Sequence, residues 1–302
     1  MNVNLLKLEI VELLEKHKKI TAVAELLELK QPTISFHMKS LEQELGVQLF
    51  EFRAGKTQLT EAGMAFHHYA VKINALSREA ERVVKEFQGP GKGALLIGAS
   101  YVPGTYILPD VISGFAKAFP KLSITVSVKP APVIKEQLLN HDIDIGIFSS
   151  EPFQLEPLCV EPLGADELVV IFSPGHRFAG LPELTAGHLA EEPFIVHRPE
   201  SNTRALTVNW AEANGVVLNA LMELDSIEAI KQIVMAGSGV SFVSRLSVER
   251  EARRGELLYR PIPRDQMARS VFYAYNRDRR QSAVLKAFVQ VLNKHSTPAG
   301  AE

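Results

Sequence analysis

The sequence has very little cysteine and no long apolar run. Its 302 residues include one cysteine, Cys159, which excludes a disulfide framework and a cysteine-rich zinc site. No stretch approaches the ~20 apolar residues of a membrane-spanning helix. The N-terminal segment is interrupted by Lys7, Glu9 and Glu12, so it lacks the apolar core of a signal peptide. These absences predict a chain of the reducing cytoplasm, without a membrane partner.

An excess of charge of one sign is also missing. The net charge is −2, from 33 lysine and arginine residues against 35 aspartate and glutamate residues. The molecule as a whole therefore has no general attraction to nucleic acid or to an anionic membrane, and any DNA affinity has to be local. With 46% hydrophobic and 23% charged residues the composition is that of a globular protein, and its length allows about two or three domains.

Residues 21–45 have the pattern of a helix, a tight turn and a second helix. Pro32 has a fixed φ and no N–H, so it suits a first helical turn, and a new helix is predicted to begin at Gln31. The apolar positions of this second helix form one stripe: Ile34, Met38, Leu41 and Leu45. Its other face carries short polar side chains that suit base edges and phosphates in a major groove. An ordinary helical hairpin is the alternative.

A candidate wing follows the second helix. Gly46 follows the last apolar residue of this helix, and glycine at such a position is typical of a helix end. Beyond it, Arg53, Lys56 and Thr57 are predicted to occupy a short hairpin-like loop beside the helix.

Three ordered motifs in this region resemble the LysR-type transcriptional regulators. They are Gln31-Pro32 with Ser35; Leu41-Glu42, Leu45-Gly46 and Leu49-Phe50; and Leu59-Thr60 with Gly63. The resemblance implies an α/β fold with an N-terminal winged helix-turn-helix, a long linker helix and a two-lobed effector domain like the periplasmic binding proteins. It also implies a homodimer or homotetramer that binds double-stranded DNA at an interrupted palindrome and responds to a small-molecule effector.

Two positions depart from the family pattern. Where the family commonly has arginine, directly after the recognition-helix serine and two residues after the Leu-Phe pair, this chain has Phe36 and Phe52. Residues 30–60 contain four basic and three acidic side chains, so a modest salt dependence per subunit is expected. The predicted DNA contacts are Gln31, Pro32, Thr33, Ser35, Phe36, His37, Lys39, Arg53 and Lys56.

The winged domain is predicted to span residues 1–60 and the linker helix residues 61–88. Apolar residues recur along the helix at alternating steps of three and four: Phe66, Ala70, Ile73, Leu76 or Ser77, Ala80, Val83 or Val84, and Phe87. Such spacing is typical of a coiled-coil seam, although a helix packed on its own domain has the same period. We expect a dimer contact here, as the resemblance implies.

Residues 89–93, Gly-Pro-Gly-Lys-Gly, are a hinge by composition. They do not fit a phosphate-binding loop, because they precede a strand rather than follow one. The effector domain is assigned to residues 94–302, with lobe one at about 94–163 plus 269–302 and lobe two at about 164–268. Apolar runs predict an α/β arrangement of parallel strands. Strands are expected at 94–100, 122–128, 142–148, 168–172, 194–196, 220–224, 239–243, 257–260 and 271–276, and helices at 106–119 and 133–140.

Polar clusters stand at three predicted element ends, where α/β proteins bind ligands. The predicted effector-binding residues are Ser100, Tyr101, Ser149, Ser201, Asn202, Thr203 and Arg204. Hydroxyl groups and free N–H groups at a helix start favour an anion. Plain helix capping is the alternative for the 201–203 cluster, and a salt bridge is the alternative for Arg204.

No catalytic residue, metal ligand or cofactor motif is predicted. His67 and His68 are adjacent, so on a helix they diverge and make a poor metal pair. Gly237-Ser238-Gly239 lacks the spacing of a nucleophile elbow. The sequence therefore predicts a regulator rather than an enzyme. The alternatives are a constitutive DNA-binding oligomer without an effector, and an enzyme with a DNA-binding appendage.

Overall fold

The computed structural model describes residues 3–86, 93–263, 269–279 and 281–295. The chain divides into two compact units, residues 1–93 with 140–142, and the remainder. None of the described helices is both long enough and apolar enough to cross a membrane.

The N-terminal unit is a winged helix-turn-helix followed by a long helix. Its elements are α1 (Leu5–His17), α2 (Ile20–Leu26), α3 (Gln31–Leu45), β1 (Phe50–Arg53), β2 (Lys56–Leu59) and α4 (Glu61–Glu86). The predicted start of α3 is confirmed, with Pro32 in its first turn. Its apolar stripe is also confirmed, since Ile34, Met38 and Leu41 are buried in one cluster with the apolar face of α1, while Leu45 packs partly against it.

The end of α3 is fixed by two residues of the second family motif. Gly46 adopts a left-handed φ of 67° and ends the helix. Glu42 reaches past this turn, and its Oε1 accepts hydrogen bonds from the backbone N–H groups of Leu49 at 2.8 Å and Phe50 at 3.0 Å. The carboxylate therefore holds the chain at the entry to the wing.

The third motif fixes the start of α4. The Thr60 hydroxyl donates to the carbonyl of Gln48 at 2.8 Å and accepts from the N–H of Gly63 at 3.0 Å. A Cβ added at Gly63 would lie 2.1 Å from the carbonyl oxygen of Leu49. Only glycine permits this close approach of α4 to the segment that follows α3.

The wing is a two-stranded hairpin whose last residue pair is Arg53 and Lys56. Ala54 and Gly55 form its turn with φ of 49° and 75°. The prediction that Thr57 lies in the loop was wrong, because it is a buried residue of β2 whose N–H donates to the carbonyl of Lys18. Alternation along the strand turns Thr57 inward, as it does Leu59.

The α4 helix carries two different apolar stripes. Ala70 is fully buried and Phe66 is partly buried against the core of the same unit, so the predicted seam was wrong at these two positions. A second stripe is exposed, and we call it the linker stripe: Tyr69, Ile73, Leu76, Ala80 and Val84. The predicted end of the helix at 87–88 and residues 89–92 of the hinge lie outside the described residues, and Gly93 begins a strand.

The C-terminal unit has strands β3 to β12 and helices α5 to α12. The strands are β3 (Gly93–Ala99), β4 (Leu122–Val128), β5 (Ile145–Ser150), β6 (Leu158–Ala165), β7 (Leu168–Phe172), β8 (Pro193–His197), β9 (Asn219–Leu224), β10 (Ser241–Ser244), β11 (Leu258–Pro261) and β12 (Ser270–Asn276). The helices are α5 (Tyr101–Tyr106), α6 (Leu108–Ala118), α7 (Ala131–Leu139), α8 (Ala186–Ala190), α9 (Asn202–Ala213), α10 (Ile227–Met235), α11 (Glu249–Arg254) and α12 (Ala283–Lys294).

These elements form two lobes. Lobe one has a five-stranded sheet of order β4-β3-β5-β12-β6, and lobe two has sheets of order β10-β7-β11 and β8-β9. The chain therefore crosses from lobe one to lobe two between β6 and β7 and returns between β11 and β12. The predicted lobe boundaries near 163–164 and 268–269 remain predictions.

This unit differs from the sequence expectations in three respects. The strands are not all parallel, because β12 runs antiparallel to β5 and β6, and β7 runs antiparallel to β10 and β11. Strand β6 was not predicted. The helix expected at 106–119 is present as α6, but the short helix α5 before it was not predicted. The two helices meet at Ile107, and Pro109 has no N–H to continue the hydrogen bonds of α5.

Candidate DNA interface and effector site

The solvent-exposed surface of helix α3 carries both polar and apolar side chains. Gln31, Pro32, Phe36 and Lys39 are exposed, and Thr33, Ser35 and His37 are half-buried. His37 Nδ1 is buried without a hydrogen-bond partner among the described residues. Its ring meets Phe36 edge-on, with centroids 5.7 Å apart. This surface offers hydrogen-bonding groups together with one large apolar group.

The wing supplies the basic side chains predicted for it. Arg53 is 70% exposed, but its guanidinium lies 3.0 Å from the carboxylate of Glu51. Lys56 is exposed, and within the described part of the chain no ion pair is recorded for it. Of these two cations, only Arg53 thus has an ion-pair partner among the described residues.

In the C-terminal unit, two predicted serines meet at neighbouring strand ends. Because β3 and β5 run parallel, Ser100 Oγ accepts a hydrogen bond from the N–H of Ser149 at 3.1 Å. Ser149 is buried, and its own Oγ has no partner among the described residues. Buried polar atoms are nearly always hydrogen-bonded, so this hydroxyl is a candidate contact for a ligand or a water molecule.

The start of α9 holds the second predicted cluster. Ser201 is the N-cap residue, but its side chain makes no capping hydrogen bond. Asn202 Oδ1 is buried and unpartnered within the described ranges. Thr203 is buried, and its Oγ1 accepts from Arg269 Nη1 at 2.9 Å. Within the described residues these side chains therefore do not cap the helix, and no side chain satisfies the N–H groups of its first turn.

Arg269 connects the two clusters. It stands directly before β12, whose Val271 pairs with Ser149 of β5. Its guanidinium bonds Thr203 at the start of α9 in the other lobe. Arg269 therefore joins the strand next to the Ser100–Ser149 pair with the start of α9.

Arg269 is itself held by an acidic residue from the other crossing segment. Its Nη2 lies 2.8 Å from Asp166 Oδ2, and the two side chains are 4% and 0% exposed. The other oxygen of Asp166 accepts from the hydroxyl of Ser244. Neither Asp166 nor Arg269 was predicted as a site residue, because charged residues between two strands have the pattern of an ordinary loop.

Two predicted effector residues are engaged elsewhere. Arg204 Nη1 donates to the carbonyl of His197 at 3.1 Å and lies 3.7 Å from the carboxylate of Glu223. Arg204 therefore forms the salt bridge that was the alternative to an effector contact. Tyr101 packs partly against the apolar core of lobe two and meets Tyr106 edge-on.

His197 adds a neutral group beside this network. It is buried at the end of β8, and its Nε2 is 2.9 Å from the carbonyl oxygen of Phe242. Burial, with smaller contributions from Arg269 and Arg204, lowers the pKa of His197 to about 4. The ring is therefore uncharged near pH 7, and the positive charge here belongs to the arginines.

A winged helix-turn-helix, joined in one chain to a two-lobed α/β unit with unpartnered polar groups between its lobes, is the architecture of a ligand-responsive transcriptional regulator. The model for the bacterial regulatory helix-turn-helix protein of the lysR family matches residues 5–64, and the model for the LysR substrate binding domain matches residues 88–297. The chain belongs to the LysR family. The prediction of a regulator rather than an enzyme is confirmed by this membership.

Individual relatives agree with the family assignment. The chain is 32% identical to a probable RuBisCO transcriptional regulator from Phaeodactylum tricornutum, over 95% of each chain. It is similar in fold to full-length CbnR complexed with its target DNA, with a TM-score of 0.69, 18% identity and coverage of 97% of this chain and 100% of that one. The regulatory domain of Synechocystis CcmR in complex with 2-PG is 26% identical, with a TM-score of 0.61, over 69% of this chain and 99% of that domain.

Proposed function

We propose that this chain is a sequence-specific regulator that binds an interrupted palindrome in double-stranded DNA through α3 and the wing. The supporting observation is the exposed surface of α3, which combines hydrogen-bonding and apolar side chains next to a hairpin with basic side chains. Gln31, Thr33, Ser35 and His37 are assigned to base edges, together with Pro32 and Phe36, whereas Lys39, Arg53 and Lys56 are assigned to phosphates. The protein acts in the cytoplasm, where its DNA lies.

Substitutions on α3 and on the wing should separate base contacts from backbone contacts. Ser35→Ala is expected to weaken binding to the selected site by roughly 1–3 kcal/mol, with little effect on random DNA. Lys56→Ala is expected to weaken binding to both DNAs alike and to reduce the salt slope by about one. Fluorescence anisotropy against both DNAs at several salt concentrations measures this. An equal loss on both DNAs for Ser35→Ala would assign Ser35 to the backbone.

We further propose that an anionic small molecule binds where the lobes meet and controls DNA binding. Two features support an anion: Ser149 Oγ, a donor without a partner among the described residues, and the uncapped N-terminus of α9. Asn202 Oδ1, also without a partner there, is an acceptor and would meet a hydrogen-bond donor of the ligand. The positive end of a helix dipole and free N–H groups favour a carboxylate or a phosphate. The CcmR regulatory domain, which resembles this unit, is known in complex with 2-PG. To act as an effector, the ligand has to prefer one arrangement of lobes or subunits over another.

The Ser149 hydroxyl offers a test that does not disturb the fold. Since the hydroxyl has no partner in the part of the chain that the structure describes, Ser149→Ala should leave the free energy of unfolding unchanged within ~0.5 kcal/mol. It should weaken the effector by roughly 1–3 kcal/mol, because a ligand oxygen loses its hydrogen bond. A thermal-shift screen of small carboxylates and phosphate esters, including 2-PG, identifies a ligand, and calorimetry measures both proteins.

Ser150→Ala is the matched control, because Ser150 is also buried but its hydroxyl already donates to the carbonyl of Glu151. Its effector affinity should stay that of the parent protein. A compound that binds both variants and the parent equally would move the site away from Ser149. A screen in which no compound raises the Tm favours the constitutive alternative.

The proposed assembly is a homodimer, or a homotetramer built from it, joined through α4. The linker stripe supports it, since a helix with an apolar stripe left open to water is stabilised by a second copy.

A further inference from the structure

An exposed phenyl ring lies in the middle of the outward face of α3. Four exposed positions of the helix, Pro32, Phe36, Lys39 and Gln43, follow one another at steps of four, three and four residues and so form one stripe. Phe36 is 67% exposed, whereas its neighbours Ile34 and Met38 are 0% and 8% exposed. The ring has not been drawn into the core of the unit.

Phe36 has no evident role in holding the unit together. It does not belong to the apolar cluster that α3 shares with α1, and among the described rings its partner is the half-buried His37. A single exposed apolar side chain is common on protein surfaces, but this one lies on the helix that a winged helix-turn-helix places in the major groove. On this helix the partner is DNA.

The chemistry of the ring restricts what it can recognise. In the major groove, guanine presents two acceptors, cytosine a donor, and adenine one of each, and a phenyl ring satisfies none of them. Covering these groups without a hydrogen bond costs free energy. Thymine alone presents an apolar group there, its C5 methyl, and phenylalanine is one of the side chains that contact it.

We propose that Phe36 determines specificity by packing on the C5 methyl group of a thymine in each half-site. The inference rests on the proposed placement of α3 in the major groove. It assigns to this position an apolar readout of thymine, in place of the charged contact that an arginine would make.

The test removes the methyl group and nothing else. A binding site is first selected from random DNA, and each thymine of one half-site is then replaced singly by deoxyuridine, which keeps every hydrogen-bonding group. One thymine is expected to show a loss of about fourfold in affinity, the value for one methyl group removed from water. Replacement in both half-sites should lower affinity about 15-fold, if the two effects add. Phe36→Ala should bind the parent site more weakly and should not distinguish thymine from deoxyuridine.

Phe52→Ala is the matched control, because Phe52 is 72% exposed but lies on the wing. This variant should keep the full response to deoxyuridine. Both phenylalanines are on the surface, so neither substitution should alter the fold by more than ~0.5 kcal/mol. The inference is overturned if no thymine responds in the parent protein, or if Phe36→Ala responds as strongly as the parent. Selection that yields no preferred sequence would overturn the proposed α3 contact itself, which is a different result.

Discussion

Asp166→Ala is expected to lower the free energy of unfolding of the C-terminal unit by about 3–5 kcal/mol. Asp166 is fully buried, and the side chain of its partner Arg269 is 4% exposed. Removing one member of a buried ion pair leaves the other charge without compensation, which costs more than the pair itself contributes. Ser244 also loses the acceptor of its hydroxyl group. Urea unfolding followed by circular dichroism measures the change.

The neighbouring residue provides the control. Glu167 also pairs with an arginine, Arg245, at 3.1 Å, but these side chains are 41% and 50% exposed. Water screens such a pair, so Glu167→Ala should cost less than about 1 kcal/mol. Replacing both buried partners, as Asp166→Leu with Arg269→Met, should recover part of the loss because no unpaired charge remains. Equal stabilities for Asp166→Ala and Glu167→Ala would show that the buried pair does not hold the lobes.

The position of this pair gives it a functional consequence. Asp166 lies in the segment that leaves lobe one, and Arg269 ends the segment that returns to it. The same guanidinium reaches Thr203 at the start of α9. One arginine therefore links both crossings to the proposed effector site. The Thr203 hydroxyl is already engaged by this arginine, so Ser149 and Asn202 are the groups left to meet a ligand.

The winged unit could be predicted closely because its determinants are local. Pro32 opens α3, Gly46 ends it, and Glu42 bonds a segment only a few residues further along. Such contacts depend on spacing, which the sequence displays directly. The error at Thr57 arose because its burial depends on the contact of β2 with Lys18 at the end of α1.

The effector site could be predicted only in part, because its geometry is assembled from distant segments. Hydroxyl residues at strand ends were recognisable, and Ser100 and Ser149 do meet. Asp166 and Arg269 are separated by most of lobe two, and nothing in the sequence pairs them. Strand direction was missed for the same reason, since an apolar run shows that a strand is buried but not which way it runs.

The α4 helix shows a further limit of periodicity. A repeat of three and four residues indicates an apolar stripe, but not whether the stripe packs on its own unit or on a second chain. Ala70 packs on its own unit, whereas Ile73, only one turn away, is open to water and is assigned to the proposed dimer contact. Burial separates them, since Ala70 is 0% and Ile73 46% exposed.

Ile73→Asp is expected to convert the dimer into a monomer, raising the dimer dissociation constant by at least about 100-fold, or ~3 kcal/mol. The position is solvent-exposed in the isolated unit, so the substitution should not unfold it. In a dimer formed through the linker stripe, each copy would bury a carboxylate among Tyr69, Leu76 and the partner's apolar side chains, without an opposite charge.

His68→Asp is the control. It introduces the same carboxylate at an exposed position on another face of the same helix. Sedimentation equilibrium should show monomers for Ile73→Asp and dimers for His68→Asp. Binding to a full palindrome should fall to that of a single half-site only in the first variant, because two linked recognition helices bind far more tightly than one. A dimer that survives Ile73→Asp would place the subunit contact outside the linker stripe.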